Sequence, residues 1–126
     1  MREDKSASSF YNLEVYQITY QAAIKVIKNI LPKLPKEERF DLDGQLRRSA
    51  KAVPRLITEA YPKRYQKKGY QGLLDDATEE SSECAVSLSQ VKDIYNIEAD
   101  LCLKLIDTYD KAARQLQNLS LAWGEF

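Results

Sequence analysis

The chain has 126 residues, 44% hydrophobic and 30% charged, with 19 basic and 19 acidic side chains and no histidine. That length suits one domain around one core, and four Gly with four Pro leave little punctuation for a many-stranded β fold. The lack of histidine removes the commonest general base and metal ligand, and two cysteines are too few for a structural zinc site.

The start, Met1-Arg2-Glu3-Asp4-Lys5, is charged with no apolar run behind it, and no stretch approaches the roughly 18 apolar residues of a membrane span. The expectation is one cytoplasmic domain over residues 1–126, without cofactor or metal, with residues 1–10 as a flexible tail.

A first helix is predicted from about Leu13 to Ile30, capped by Asn12 or a serine just before it. At about 100° per residue, Glu14, Gln17, Gln21, Lys25 and Lys28 share one third of its circumference. Nearly all the rest is apolar, about twice the stripe that one packed neighbour requires. Such a helix should be covered twice, once by its own bundle and once by a second copy. Val15, Ile18, Ala22 and Val26 are the candidate residues for that outer contact. Pro32 and Pro35 end the helix, because each disfavours helix in the residue before it.

The second helix is predicted from Leu42 to Ala60, with Asp41 as its cap and Asp43 at the positive end of its dipole. Leu42, Leu46, Ser49 or Ala50, Val53, Ile57 and Ala60 turn inward. Pro54 lies inside this pattern, so the helix either bends there or is two pieces. Pro62 closes it.

The third helix carries the cleanest period. Tyr70, Leu74, Ala77, Ser81, Cys84, Leu88, Val91 and Tyr95 recur in steps of four and three, which makes a bundle seam. The seam is small in its middle, so a partner helix can approach closely. Asn96 suits a left-handed cap. The fourth helix, from about Ala99 to Leu119, turns inward Leu101, Leu105, Tyr109, Ala112, Ala113, Leu116 and Leu119. Short links make the whole an all-α, antiparallel up-down-up-down four-helix bundle. Folding the last two helices about Asn96 sets Cys84 and Cys102 roughly 9 Å apart in height, too far for a disulfide. Two reduced core thiols are expected.

Charge is unevenly placed. Arg47, Arg48, Lys51, Arg55, Lys63, Arg64, Lys67 and Lys68 face only Glu59 between residues 47 and 68, whereas residues 75 to 110 hold ten acids against Lys92 and Lys104. Arg47, Lys51 and Arg55 recur every four residues, with Tyr61, Tyr65 and Tyr70 nearby. That pattern suits a phosphate backbone, and equally a surface that meets the acidic helices of a neighbouring subunit. Glu79, Glu80, Glu83, Asp107 and Asp110 lack the histidines of a di-metal bundle site. Gly-rich phosphate loops and nucleophile motifs are absent.

Phe10, Leu13-Glu14-Val15-Tyr16-Gln17, Pro35-Lys36-Glu37-Glu38, Leu42, Gln45-Leu46-Arg47-Arg48-Ser49-Ala50 and Pro54 together resemble the bacterial four-helix-bundle family encoded in intervening sequences of 23S ribosomal RNA genes. The resemblance covers about the first 60 residues well. Leu56-Ile57-Thr58-Glu59-Ala60 stands where that family often has Asn-Ile-Ala-Glu-Gly, and Glu79 and Glu80 occupy positions that tend to be small. The resemblance implies a ring-like homo-oligomer, commonly a pentamer. It also implies a distant relation to the accessory variability determinant of diversity-generating retroelements, a basic protein that helps a reverse transcriptase handle nucleic acid. Two functions follow as expectations: a non-enzymatic oligomeric scaffold or adaptor, or an accessory factor that binds RNA or DNA through the basic face, with a reverse transcriptase as a possible protein partner.

Overall fold

The computed structural model describes residues 9–66 and 68–124. Four helices dominate: α1 (Glu14–Lys25), α2 (Leu42–Ala60), α3 (Tyr70–Gln90) and α4 (Ala99–Trp123). There is no strand among the described residues. Each helix packs on its neighbours in the cycle α1–α2–α3–α4–α1, the four-helix bundle that the amphipathic periods predict.

Of the expected N-terminal tail, residues 1–8 lie outside the described residues. Ser9 and Phe10 belong instead to a short 3-10 turn, Phe10–Asn12, capped by the Ser9 hydroxyl, which accepts from the Tyr11 amide at 3.2 Å. The Phe10 ring meets Tyr16 edge-on at 5.0 Å. Asn12 does not cap α1; Leu13 takes that position without a side-chain hydrogen bond.

α1 runs on through a wide π turn, Val26–Ile30, and a 3-10 turn, Leu31–Lys33. The extra residue of a π turn shifts the helical phase. Here Val26, Ile30 and Leu31 all reach the core. A second π turn, Val91–Tyr95, ends α3 in the same way. Asn96 then takes the left-handed conformation (φ 52°), as its sequence position suggests, and Glu98 takes it too (φ 46°). Gly69 (φ 115°) opens α3 at a backbone angle that side chains with a Cβ rarely adopt.

α2 is continuous from Leu42 to Ala60 through a buried Pro54, so the helix is not split in two. Its start differs from expectation. Asp41 makes no capping bond, and the Glu38 carboxylate accepts from the Leu42 amide at 3.3 Å. The Glu38 carboxylate also accepts a close hydrogen bond from the Tyr95 hydroxyl. Lys33 pairs with Glu98 at the same end of the bundle. These two contacts tie the α1–α2 link to the α3–α4 turn.

The α3 seam is buried from Tyr70 to Val91, with Ala77, Ser81, Cys84 and Leu88 at 0% exposure. Small side chains let the neighbouring helices approach, and the Ser81 hydroxyl is satisfied by the Ala77 carbonyl at 2.9 Å. Both cysteines are free and buried, as the height argument requires. Tyr109 is fully buried beside Cys84, and its hydroxyl finds no partner of hydrogen-bond geometry among the described residues.

A buried hydroxyl without a partner carries an uncompensated desolvation cost. Tyr109→Phe is therefore expected to leave stability unchanged or raise it by up to about 1 kcal/mol, whereas Leu88→Ala should cost about 2–5 kcal/mol. Urea denaturation of the two variants checks both.

Burial pushes the Cys84 thiol from 9.0 up to about 12 and raises the Tyr109 phenol well above its usual value. Both groups are neutral when protonated, so the folded state retains protons that the unfolded chain releases. Their contribution is complete below pH 9 and is lost as pH rises towards 12. The denaturation midpoint should fall across that window, and Cys84→Ala should make the fall shallower.

Candidate functional site

The predicted basic residues do not form one surface. Arg47 is held by Asp43, one helical turn back, at 3.2 Å. Arg64 is engaged at the end of α2: its guanidinium lies 3.8 Å from the centre of the Tyr61 ring and 4.5 Å from that of Tyr65, and it donates to the Tyr61 carbonyl at 2.8 Å. Lys63 and Lys68 are exposed beyond it, and Lys67 lies outside the described residues. Tyr61 and Tyr70 are not stacking platforms. Both are buried against Trp123, at 6.0 and 5.5 Å between ring centres, and Tyr70 donates to the Ser120 carbonyl at 3.2 Å. Tyr65 alone of the three is exposed.

Arg48, Lys51 and Arg55 remain as the crest of α2. On one side they overlook a cleft of about 700 Å³ between α2 and α3. Its opposite wall is Asp76, Glu79, Glu80 and Glu83, and its floor includes Ser49, Ala52 and Leu56. The basic helix thus faces the acidic helix of its own chain. The two walls do not touch: none of the three cations forms an ion pair among the described residues. Asp107, on α4, pairs with Lys111 at 3.0 Å, so the α3 and α4 carboxylates serve different surfaces.

On its other side the crest borders an apolar groove of about 370 Å³ between α1 and α2. Tyr16, Tyr20, Ala23, Ile24, Ile27 and Pro54 line it, and Lys28, Lys51 and Arg55 rim it. Tyr16 and Tyr20 stack at 5.8 Å between ring centres. The Tyr16 phenol is raised, first by desolvation and then by the neighbouring Tyr11 and Tyr20. The groove exists because α1 packs less closely than the other helices, and because its apolar circumference exceeds what the core covers.

This corrects three of the four outer residues chosen on α1, Ile18 being half-exposed. Val15, Ala22 and Val26 point into the chain's own core, at 4%, 3% and 0% exposure. Ile18 and Ala22 border a second groove, between α1 and α4. The apolar side chains left half-exposed or exposed on the α2 side are Tyr16, Tyr20, Ile24 and Ile27. The width of the stripe was readable from sequence, but period alone does not tell which of two apolar edges turns inward. No helix among the described residues is long and apolar enough to cross a membrane.

Residues 11–118 match the 23S rRNA-intervening sequence protein family. No curated protein and no solved structure shows significant similarity to the chain. The match spans far more than half of the sequence, and the chain belongs to this family.

Proposed function

We propose that this member of the 23S rRNA-intervening sequence family is a non-enzymatic oligomeric scaffold or adaptor, and that the α1–α2 groove is the surface through which it assembles. The observation that carries this reading is the groove itself. Tyr16, Tyr20, Ile24, Ile27 and Pro54 form one concave apolar surface that the chain's own core leaves open, and this supports a protein contact there. A groove between two helices is the shape that takes a third helix.

The alternative, an RNA- or DNA-binding accessory factor, draws on Arg48, Lys51 and Arg55, which form no ion pair among the described residues. It is the weaker reading, because Glu79, Glu80 and Glu83 stand across the cleft from these cations and would repel a polyanion approaching them.

Light scattering at micromolar concentration is expected to give a mass at least twice the 14.5 kDa of one chain. A monomer would refute the proposal. Ile24→Asp, at the half-exposed edge, would set a carboxylate in the dry contact. It should weaken assembly about 100-fold or more while leaving the helical circular dichroism intact. Val15→Asp instead places a charge in the core and should unfold the chain. In a low-salt gel shift the wild type should retain neither RNA nor DNA. Retention that falls steeply with added salt, and that is lost when Arg48, Lys51 and Arg55 become Glu, would favour the accessory-factor reading.

A further inference from the structure

We infer that the cleft between α2 and α3 binds a free basic amino acid, held by its carboxylate on the α2 wall and by its cationic groups on the α3 wall. The inference does not depend on the assembly reading. The cleft is separate from the α1–α2 groove, although Lys51 and Arg55 border both.

Two faces of equal length meet across this cleft. Arg48, Lys51 and Arg55 stand at i, i+3 and i+7 on α2, and Asp76, Glu79, Glu80 and Glu83 at i, i+3, i+4 and i+7 on α3. Each set lies along one face of its helix and spans about 10 Å at the rise of an α-helix. None of these side chains forms an ion pair among the described residues. The cleft therefore presents both signs of charge. A phosphate chain is opposed by the carboxylates and a polyamine by the cations. A ligand that carries both signs is opposed by neither wall.

The floor supplies a second, independent observation. Ser49 lines the cleft and is only 7% exposed. Its hydroxyl makes no hydrogen bond among the described residues, unlike that of Ser81, which donates to the Ala77 carbonyl. It is also not one of the hydroxyls sealed inside the core. A nearly buried hydroxyl that opens onto a cleft gains when a partner arrives, and this one stands next to Arg48, placed to donate to the same anionic group. Half-buried Ala52 and Leu56 continue the floor and give an apolar strip for a methylene stem.

The balance of charge selects the ligand class. The lining holds three cations against five carboxylates, Glu59 included. The matching ligand has one anionic group and more than one cationic group. Free arginine has one carboxylate, one ammonium and one guanidinium on a short methylene stem. Its carboxylate suits the guanidinium forks of Arg48 and Arg55, and its own guanidinium suits the α3 carboxylates. A cleft of about 700 Å³ is of the size that takes small molecules.

Calorimetric titration of the full chain with L-arginine at low salt tests this. Saturable binding with a Kd of about 1 mM or tighter is expected. Agmatine, which lacks only the carboxylate of arginine, should bind at least about 10-fold more weakly. Arg48→Gln, and Glu80→Gln with Glu83→Gln, change residues that do not border the α1–α2 groove. Each should weaken arginine binding at least about 10-fold, and Ser49→Ala about 3- to 10-fold. A wild type without saturable arginine binding, agmatine bound as tightly as arginine, or variants that bind arginine as the wild type does each overturn the inference. Should a variant lose its helical spectrum, the amide shifts of the wild type on adding arginine decide instead. They should centre on residues 48–59 and 76–83, and shifts centred elsewhere overturn the inference. None of these readouts is the mass of the assembly, so this inference and the oligomeric reading fail separately.

Discussion

Close approach along α3 is the constraint from which the rest of the architecture follows. Ala77, Ser81 and Cys84 present almost no bulk at the middle of the seam, so α2 and α4 draw in against them. Interiors are packed to crystal-like density, and the space left by small residues on one helix is filled by large ones on its neighbours, here Tyr109, Leu116, Leu46 and Ile57. Three helices thereby satisfy one another. α1 enters this arrangement with more apolar circumference than remains to be covered. Its Val15, Ala22, Val26 and Ile30 complete the core, while Tyr16, Tyr20, Ile24 and Ile27 border open space.

The ends of the bundle show how loops are fixed when helix caps are weak. None of the four helices receives a side-chain capping bond at its N-cap residue. The chain compensates through contacts between links. Glu38 serves the Leu42 amide and the Tyr95 hydroxyl together, and Lys33 joins Glu98. The two αL residues, Asn96 and Glu98, lie within this cluster. An L-residue other than Gly costs roughly 1–2 kcal/mol there, and the surrounding contacts hold Glu98 in place against that cost.

Much of this fold was legible in the order of residues. The α3 seam was readable because seven of its apolar or small positions, from Tyr70 to Val91, obey one period and all are buried. Asn96 was readable because a left-handed turn favours its short amide. Other features were not. The cap of α2 comes from Glu38, four residues before the first helical residue, by way of a 3-10 turn, Lys36–Glu38, whose geometry no local rule specifies. The π turns shift helical phase without a sequence mark. The basic stripe was correct as a stripe on α2, but its meaning depends on what stands across from it. Arg47 is paired with Asp43 within α2 and Arg64 is held over the Tyr61 and Tyr65 rings at the end of that helix, while Arg48, Lys51 and Arg55 face acids of α3 across the cleft. Helical period reports neighbours on one helix and is silent about the facing helix.

That facing acidic wall bears on what the crest of α2 can recognise. Packed helices stand roughly 8–10 Å apart, about one Debye length at physiological salt. Seen from farther away, the positive crest and the negative wall largely cancel. A long polyanion gathers affinity from a field that extends over many phosphates, and this ridge offers little of one. A protein surface that docks into the apolar groove meets Lys28, Lys51 and Arg55 at contact distance, inside the screening length, where each cation acts separately from the acids of α3. The same charge pattern thus opposes polyanion capture at long range and supports a matched acidic rim at short range. The groove supplies apolar burial and the rim supplies positive sign, and the proposed assembly rests on these two features together.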